Sequence, residues 1–558
     1  MRRRLGECFF RLVLGLLAPV AMQAQVVYVP VEHPVVGFLQ RLQTRGLAPD
    51  VEDATLPWTR ERVTHWLTAL EEAPLSRVER EEWCRYAAEF ASKCTEGAWR
   101  LKRLAQDAGH YWRPLRSLYG NRVDFLAWRE GDAEIHLNPL IVRERSWTSA
   151  DTLPSARARH RDRNGFAVWG TFGRCVGFSV LVTDTREWGA PSYTKRMNIT
   201  APGLGFVNGF GDHLEHDETE AFLSLALPGG LVGFGKMTTV WGPGRWGHLL
   251  LSGAAPSFDQ IRLQLRTGRL SLVWLYGFLR FYQVPYHHTL PPPRKAIAAH
   301  RLVFRARRNL TLAFSEAVVF GRRWFVPGYA NPIMFYRSAE HFWGDEDNAV
   351  MGADVQWRPL AGLELYGEGL LDDFSVKKAG TGWYGDKWAV LLGARGAWTF
   401  WGGDWTATVE YARIRPYVYS HKDSLTSYAH FVTVLGHPVG PNSEVWNAEV
   451  AYRPSWRWSV TFAAESRQHG ANPPGLNVGG NWQEGHVYGD PERVPFLSGL
   501  KEWQKRVTIG VDYRMTYQLH FGLHLHWGQG TETPGSERNV SCRAVDLVLG
   551  LNFPGLPR

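Results

Sequence analysis

The sequence predicts a mainly β chain: a transmembrane antiparallel β-barrel of about 18 strands behind a small N-terminal α-helical domain. Three observations predict this fold class. The 558-residue chain is 13% aromatic but has a mean hydropathy of −0.27, and no apolar run after the N-terminal segment approaches the ~20 residues of a membrane-crossing helix. Past residue 130, apolar and polar residues alternate along short segments. These segments are joined by short turns and long loops in alternation, as in outer-membrane barrels.

Residues 1–24 are predicted to be a signal peptide. The arginines at positions 2–4 precede an apolar stretch at 12–20, and Ala24 suits the cleavage position. Removing the segment lowers the formal charge from +9 to +6, because it holds four Arg and one Glu. This mild excess does not indicate nucleic acid as a partner. We therefore expect an exported protein of a Gram-negative-type bacterium.

Residues 25–120 are predicted to form a periplasmic helical domain. A first helix begins near Pro34, with apolar residues spaced at i, i+3, i+4 and i+7. Thr59 is positioned to cap a second helix, and Ser76 and Glu79 form a capping box for a third. No helix this short is stable alone, so we expect the three to share a core or to pack on the barrel.

Residues 121–558 are predicted to form the barrel, with long extracellular loops. In the clearest strand, 517–527, the odd positions hold Tyr, Leu, Phe, Leu, Leu and Trp, and the even positions are polar or Gly. Ten rises of ~3.3 Å at a tilt of ~45° span roughly 23 Å, close to the apolar band of such barrels. The same alternation recurs at 351–357, 446–453, 456–462, 507–513 and 545–553.

The connections also alternate in length. Tight turns fall near 228–230, 308–309, 358–359, 402–403, 454–455 and 514–515. The long segments are 146–164, 187–218, 241–259, 283–296, 320–347, 372–386, 418–443, 469–503 and 529–539. One strand for each interval gives about 18 strands, with the short turns in the periplasm and the long loops outside the cell.

Several stretches resemble the Wzi family of outer-membrane proteins, which act in surface assembly of capsular polysaccharide. They are VPVEHPVVGFLQRL at 29–42, VWGPGRWGHLLLSGAAPSFDQIRL at 240–263, AHRLVFRARRNLTLAFSEAVVFG at 299–321, ANPIMFYRSAEHFWGDEDNAVMGADVQWRP at 330–359 and LELYGEGLLDDF at 363–374. The similarity is densest at 240–374 and thin after about residue 400. The resemblance implies a barrel of about 18 strands, a periplasmic helical bundle and a lumen blocked by helices and loops. It also implies a lectin-like role, holding exported polysaccharide at the cell surface.

Two loop segments carry residues suited to polysaccharide. Aromatic rings stack on the apolar faces of sugars, and charged groups bind hydroxyls or uronates. In WGPGRWG at 241–247 the candidates are Trp241, Arg245 and Trp246, and the glycines let the backbone approach a ligand. The candidates in the second segment are Trp324, Tyr329, Arg337, Glu340, His341, Trp343 and Asp345. The alternative for each residue is packing of the loops into a plug, which uses the same residue types.

Other residues that could suggest chemistry favour a structural role. The three histidines on the polar face of 517–527 are interpreted as lumen-lining, because no acidic or Cys partner stands at a metal-ligand spacing. Asp372 with Asp373, and Glu364 with Glu368, could be imagined as catalytic pairs. Inward carboxylates are common in barrels, however, and no nucleophile motif accompanies these. We therefore expect no enzyme activity, no metal and no cofactor.

Three functions follow as hypotheses. The first is a non-enzymatic outer-membrane barrel that binds exported polysaccharide and helps to attach or assemble it at the cell surface. The alternative is an outer-membrane porin or solute channel, which the charged inward rows favour. An enzyme acting on lipid or glycan is the third. We expect a monomer whose partners are outer-membrane lipid, a surface polysaccharide and a polysaccharide export machinery, with no nucleic acid.

Overall fold

The computed structural model describes residues 26–51, 54–90, 123–151, 157–173, 175–189, 199–200, 203–281, 292–373, 376–378 and 380–551. The predicted signal peptide, residues 91–122 and Phe553 lie outside the described residues. What the sequence indicates about those residues stays a prediction.

In the part of the chain that the structure describes, eighteen antiparallel strands form a closed barrel. They are β1 (Ala133–Ala150), β2 (Arg157–Phe172), β3 (Val176–Trp188), β4 (His213–Leu227), β5 (Gly230–Met237), β6 (Phe258–Thr267), β7 (Leu270–Arg280), β8 (Arg294–Arg307), β9 (Leu310–Gly321), β10 (Asn348–Leu360), β11 (Leu363–Asp373), β12 (Lys387–Phe400), β13 (Gly403–Ile414), β14 (Ser443–Ser455), β15 (Trp458–Ala471), β16 (Leu500–Arg514), β17 (Leu519–Thr531) and β18 (Asn539–Leu551). Each strand pairs with its neighbours in sequence, and β18 pairs with β1, where Val545 lies opposite Trp147. Closure removes free edges, as a membrane requires. The predicted fold class and strand number are confirmed.

The first predicted long segment, 146–164, is wrong, because β1 and β2 run through most of it. Its charged residues made it resemble a loop. In the structure they form cross-strand ion pairs, Arg145 with Asp162 (2.7 Å) and Arg161 with Glu144 (3.3 Å). Opposite charges facing each other stabilise a strand pair even where apolar alternation has ended.

The outward-facing side chains of the barrel are apolar and exposed. In β10, Val355 and Trp357 are 37% and 46% exposed, whereas Gln356 between them is 1% exposed. Exposed aromatic residues occur toward both ends of the wall: Phe172, Trp398, Phe400 and Trp458 toward the short turns, and Trp147, Trp446 and Trp527 toward the long loops. An apolar band with aromatic residues at both edges is the exterior of a transmembrane barrel.

Two aromatic residues predicted on the outward face lie elsewhere. Trp456 and Tyr517 occupy short turns, where the alternation ends, and their ring centroids are 5.4 Å apart. Trp456 is 5% exposed. Arg85 from the N-terminal helices donates to the Tyr517 carbonyl oxygen (3.2 Å) and lies over its ring. The prediction for these two residues is wrong because the helices cover this end of the barrel.

Three helices precede the barrel: α1 (Pro34–Thr44), α2 (Arg60–Ala69) and α3 (Arg77–Phe90). The Thr59 side chain accepts from the N–H of Arg62 at the start of α2. The Ser76 N–H donates to the Glu79 carboxylate (2.7 Å), and the Glu79 N–H donates to the Ser76 hydroxyl (3.0 Å). The predicted N-cap and capping box are confirmed. No helix in the described ranges is long and apolar enough to cross a bilayer.

The helical segment lies across the short-turn end of the barrel. Its contacts with that end are Asp50 with Arg305, Ser76 with Asp404, Arg77 with Pro454, and Arg85 with Tyr517. Between α1 and α2, Thr55–Leu56 pairs with Val240–Trp241. The N-terminal segment is therefore held both by the rim and by a strand that follows β5.

His33 ties α1 to α3. Its Nδ1 accepts from the N–H of Val35 (3.2 Å), and its Nε2 donates to Glu89 Oε1 (3.0 Å). Arg60 Nη1 lies 3.9 Å from the same oxygen. Burial alone would raise the pKa of Glu89, but the hydrogen bond from His33 and the positive charge of Arg60 outweigh it and lower this pKa to about 2.

We predict that the helical segment loses stability as the pH falls from about 4.5 towards 2. Because the folded-state pKa of Glu89 lies below its unfolded value, the ionised carboxylate stabilises the fold above about pH 4.5. This contribution is lost as the pH falls through the folded-state pKa. Glu89→Gln should remove on the order of 1–3 kcal/mol at neutral pH and flatten the acid dependence.

The measurement is thermal unfolding followed by circular dichroism at 222 nm, on the full chain in detergent, between pH 2 and 7. Glu72→Gln is the matched control, because Glu72 is an exposed carboxylate just beyond α2. An acid transition of the same size in Glu89→Gln and in the unsubstituted chain would show that Glu89 is not the group responsible.

Candidate functional site

The segment between β5 and β6 runs inside the barrel and carries the WGPGRWG turn. Trp241 is 1% exposed, its N–H donates to the Leu251 carbonyl (2.9 Å), and it lies opposite Thr55. Trp241 and Leu249–Leu251 are buried among inward-facing wall residues such as Leu275. We call residues 240–257 the lumen segment. Burial of its apolar surface against the wall stabilises this position.

Two inward carboxylates bind the backbone of this turn. Glu368 of β11 accepts from the N–H groups of Gly244 (3.0 Å) and Leu249 (2.7 Å). Glu410 of β13 accepts from the N–H of Arg245 (2.7 Å) and from that of the next residue (3.2 Å). The N–H groups of a buried turn need acceptors, and a buried carboxylate needs donors. Each group therefore satisfies the other.

Two glycines show why this turn requires them. Gly242 has φ +128°, and a Cβ there would lie 2.2 Å from Glu368 Oε1. A Cβ at Gly247 would lie 2.4 Å from the ring of His437. Only a residue without a side chain allows such close approach. The backbone approaches a wall carboxylate at Gly242 and the His437 ring at Gly247. Approach of these glycines to a ligand stays a prediction.

The first group of sugar-binding candidates, Trp241, Arg245 and Trp246, lies inside the barrel. Arg245 is half-buried, and its Nη2 lies 3.0 and 3.4 Å from the two carboxylate oxygens of Glu449 on β14. Trp246 is also half-buried, beside Glu410. Packing of the loops into a plug, the alternative considered for these residues, accounts for the contacts described. Contact with polysaccharide stays a prediction for them.

The carboxylates considered as catalytic pairs also hold the lumen together. Glu364 is fully buried, 3.4 Å from Arg358 and 3.0 Å from Arg395. Asp372 Oδ2 accepts from the N–H of Tyr419 (2.5 Å). Each of these carboxylates, like Glu368, therefore has a structural partner on the wall or in the lumen.

A second stretch of chain, 415–442 between β13 and β14, packs on the lumen segment. The Tyr419 hydroxyl donates to the Leu249 carbonyl (2.8 Å) and accepts from the N–H of His437 (3.1 Å). Burial, reinforced by the charge of His248, lowers the pKa of His437 to about 3, so this ring is neutral near pH 7. The two stretches share one apolar core with the inward face of the wall.

Three long loops meet at the end of the barrel opposite the helices, and we call them the loop cap: residues 376–386, 415–442 and 472–499. Trp383 and Arg493 form an antiparallel bridge between the first and third loops. The Tyr417 N–H donates to the Gly479 carbonyl (3.0 Å), which joins the second loop to the third. These backbone bonds make the three loops one structure.

The loop cap places aromatic rings beside polar groups. Tyr384 and His486 stack with centroids 3.4 Å apart, and Tyr488 is fully exposed. Lys378 Nζ lies 4.1 Å from the centroid of the Trp383 ring. Rings next to cations can contact both the apolar face and the charged substituents of a sugar.

The second group of candidates lies on the outside of the barrel. Residues 322–347, which we call the wall segment, connect β9 to β10 and contain the helix α4 (Tyr336–Phe342). Tyr329 is fully buried, and its hydroxyl donates to Asp347 Oδ2 (2.8 Å). Asp347 also binds Arg323, with oxygens at 2.5 and 2.7 Å from Nη2. This network holds the two ends of the wall segment together.

The other candidates lie on or beside α4. Arg337 binds Glu340 (3.1 Å) and lies 3.5 Å from Asp373 of β11. Trp324 and Trp343 are 41% and 47% exposed. The sequence did not indicate that these residues lie on the wall and not over the lumen.

Glu340, His341 and Asp345 offer ligand atoms within 4.8 Å of one another. His341 and Asp345 are exposed and 3.7 Å apart, and Arg337 already binds Glu340, so the arrangement is that of a surface ion-pair group. The expectation that no metal binds stays a prediction.

Two of the three lumen-facing histidines of β17 pair with carboxylates. His524 Nε2 lies 3.2 Å from Asp512, and His526 Nε2 lies 3.1 Å from Asp546. The partners come from the neighbouring strands β16 and β18. The interpretation of these histidines as residues of the lumen wall agrees with this geometry.

The chain matches capsule assembly proteins in sequence and in fold. Residues 158–528 match the family model described as "Capsule assembly protein Wzi". The chain belongs to the Wzi family. Its structure is similar to that of Wzi from Escherichia coli, described as an outer membrane protein involved in group 1 capsule assembly and a carbohydrate-binding β-barrel. That similarity has a TM-score of 0.55 at 13% identity, and covers 95% of this chain and 100% of that one.

Two Pseudomonas aeruginosa structures also match, with lower scores. OprD has a TM-score of 0.40 at 11% identity, covering 74% of this chain and 95% of that one. OccK7 has a TM-score of 0.39 at 9% identity, covering 75% and 99%. Among curated protein sequences, none matches this chain.

Two of the five Wzi-family stretches include long connections between barrel strands. Residues 240–263 form the lumen segment and the start of β6, and residues 330–359 form most of the wall segment and β10. The loop cap, in contrast, was not recognised from the sequence. Its aromatic residues stand in the long segments 372–386 and 469–503, but no residue spacing in the sequence indicated that these segments meet. The density of Asn, Gly and aromatic residues at 472–490 was the one available signal.

We predict that Glu368→Ala and Glu410→Ala each loosen the lumen segment of this Wzi-family barrel. Each substitution leaves two buried backbone N–H groups without their acceptor, at about 1–3 kcal/mol for each group. The expected results are a lower thermal unfolding midpoint and a larger ion conductance in planar bilayers.

Glu465→Ala is the matched control, because Glu465 is a partly exposed carboxylate of β15 that lies 3.4 Å from Arg506. It should change neither quantity. If all three variants unfold and conduct alike, the two carboxylates do not hold the turn.

Proposed function

We propose that this protein binds an exported polysaccharide at its loop cap and holds it at the cell surface, without catalysing a reaction. The observation that carries the proposal is the aromatic and polar surface of the loop cap in a chain of the capsule assembly family. The similar barrel of Escherichia coli is described as carbohydrate-binding, which supports the same class of ligand here.

Side-chain hydrogen bonds brace the third loop of the cap. Asn472 and Asn481 donate to the two carboxylate oxygens of Glu484, at 2.8 and 2.9 Å. This bracing limits the motion of the stretch that carries His486 and Tyr488. A surface that is ordered before binding loses less conformational entropy when a flexible polymer binds to it.

The charges around Trp383 favour an acidic polysaccharide. Lys377, Lys378 and Arg493 are exposed. Lys378 lies beside the Trp383 ring, and Arg493 pairs with the Trp383 backbone. Cations bind carboxylate substituents through charge-assisted hydrogen bonds, while the ring contacts the apolar face of the sugar.

The proposed orientation follows the rule for outer-membrane barrels, which place short turns in the periplasm and long loops outside. The helical segment, predicted as a domain at 25–120, then lies in the periplasm and the loop cap at the cell surface. A polysaccharide export machinery is the proposed periplasmic partner, outer-membrane lipid surrounds the wall, and the barrel acts as a monomer.

A porin remains the second candidate, because one side of the lumen is lined by charged groups. Arg161, for example, lies 3.0 Å from Glu187, and both are partly exposed. Against it, the lumen segment and residues 415–442 fill the side formed by β6–β14 with a packed core. A filled lumen obstructs the diffusion that a porin needs.

We predict that Trp383→Ala and Tyr488→Ala weaken binding to the producing bacterium's purified surface polysaccharide. Loss of one stacking ring costs about 1 kcal/mol, which is a several-fold loss of affinity. Binding of the full mature chain in detergent is measured by biolayer interferometry on immobilised polysaccharide.

Trp401→Ala is the matched control, because Trp401 is 83% exposed in a short turn at the opposite end. Trp343→Ala tests the candidates of the wall segment. A loss of affinity in Trp343→Ala alone would move the site to the wall segment, and undiminished binding in all variants would refute both sites.

We predict a smaller conductance for the unsubstituted protein than for an open porin in planar bilayers, because a packed core fills the β6–β14 side of the lumen. Single-channel recording against a general porin of similar strand number measures it. A steady conductance as large as that of the porin would favour the channel over the polysaccharide-binding barrel.

A further inference from the structure

The wall segment covers part of the outer face of the barrel. Outward-facing residues beneath it are buried, among them Tyr276 of β7 (3% exposed) and Phe320 of β9 (0%). The Tyr276 hydroxyl donates to the Trp324 carbonyl and accepts from the Val326 N–H, both at 3.0 Å. The segment is therefore packed and hydrogen-bonded against the wall and does not extend into solvent.

A polar pair on the outer face explains why this cover is needed. His300 of β8 and Glu316 of β9 lie opposite each other, 3.2 Å apart, on the face that elsewhere carries exposed apolar residues. The Tyr336 N–H of α4 donates to Glu316 Oε2 (3.1 Å), and the Trp274 indole N–H donates to the Tyr336 hydroxyl (3.1 Å). Hydrocarbon offers no hydrogen-bond donor to an uncovered carboxylate at this position and would destabilise it.

The position of Glu316 places the cover at the depth of the membrane. On β9, Leu312 and Phe314 are 41% and 40% exposed, and Glu316 is the next outward residue. Four rises from Leu312 to Glu316 span roughly 9 Å along the barrel axis, whereas the apolar band of such barrels is ~25 Å tall. The wall segment therefore begins inside the height of that band.

The outer surface of the wall segment is itself apolar. Phe342 is 87% exposed, Ile333 81% and Phe325 66%, more than most wall residues. Leu302 and Phe314, directly below on β8 and β9, are 44% and 40% exposed, so the apolar surface continues from the wall onto the segment. Apolar side chains this exposed are stable when a membrane covers them.

We propose that the wall segment is a lipid-binding element immersed in the outer leaflet, where Phe325, Ile333 and Phe342 contact acyl chains. It substitutes for the barrel wall over β7–β10 and seals the His300–Glu316 pair from hydrocarbon. The exposed polar side chains at its end, His341 and Asp345, then lie near the headgroups. Lipid is the occupant because the surface continues the lipid-facing wall.

The test is spin-label accessibility on the full mature chain in vesicles of phosphatidylethanolamine and phosphatidylglycerol. Single cysteines at Ile333 and Phe342 carry the nitroxide, in a background whose native cysteines are replaced by serine or alanine. Phe314→Cys is the lipid-facing control and Tyr488→Cys is the water-facing control. Both test sites are exposed, so the labels should leave the fold intact, which far-UV circular dichroism checks.

At 333 and 342 we expect collision rates with oxygen several-fold higher, relative to a water-soluble nickel chelate, than at 488, and close to those at 314. Nickel accessibility like that at 488 would place the segment in water and overturn the proposal. Low accessibility to both reagents would also overturn it, because the surface would then be covered by protein, such as a second copy. Neither outcome depends on polysaccharide binding.

Discussion

A polar group on the barrel wall needs a partner wherever water does not reach it, and this requirement explains how distant parts of the chain meet. Glu368 accepts from a turn 124 residues away, and Glu410 from the same turn 165 residues away. Thr55 links that turn to the helical segment, because it lies opposite Trp241 and accepts from Arg301 Nε (2.9 Å). The lumen segment thus connects the wall and the N-terminal helices through satisfied polar contacts.

The same requirement acts on the outside of the wall. Water is excluded there by lipid instead of by protein, so the His300–Glu316 pair needs donors and apolar cover from the chain itself. The wall segment supplies both through the backbone of Tyr336 and the rings around it. The loop folded back over the lipid-facing His300–Glu316 pair therefore provides the donors and the apolar cover that this pair needs.

Local periodicity was enough to predict the barrel, because strand alternation and helix caps depend on residues that are close in sequence. Ser76 with Glu79 marks a helix start within four residues, and Val355 with Trp357 marks an outward face. Prediction failed where a distant contact overrides the local pattern. Trp456 and Tyr517 continue an outward pattern in sequence, but in the structure they lie in short turns that the helical segment covers. The charged residues that form the ion pairs of β1 and β2 similarly made these strands resemble a loop in the sequence.

Prediction of the candidate site has the same limit, because the family resemblance marks residues that hold the barrel together. Two stretches in the region of densest Wzi resemblance, 240–263 and 330–359, supply the partners of Glu368, Glu410 and Glu316. Because a closed barrel fails when such groups lose their partners, these stretches are constrained by architecture, and their aromatic residues follow from packing. The loop cap also contacts the wall, because the N–H of Tyr419 donates to Asp372 of β11, but the side chain of Tyr488 is fully exposed. An exposed loop residue can change without leaving a buried polar group unpaired, so the proposed polysaccharide surface is less constrained than the turn that Glu368 and Glu410 hold.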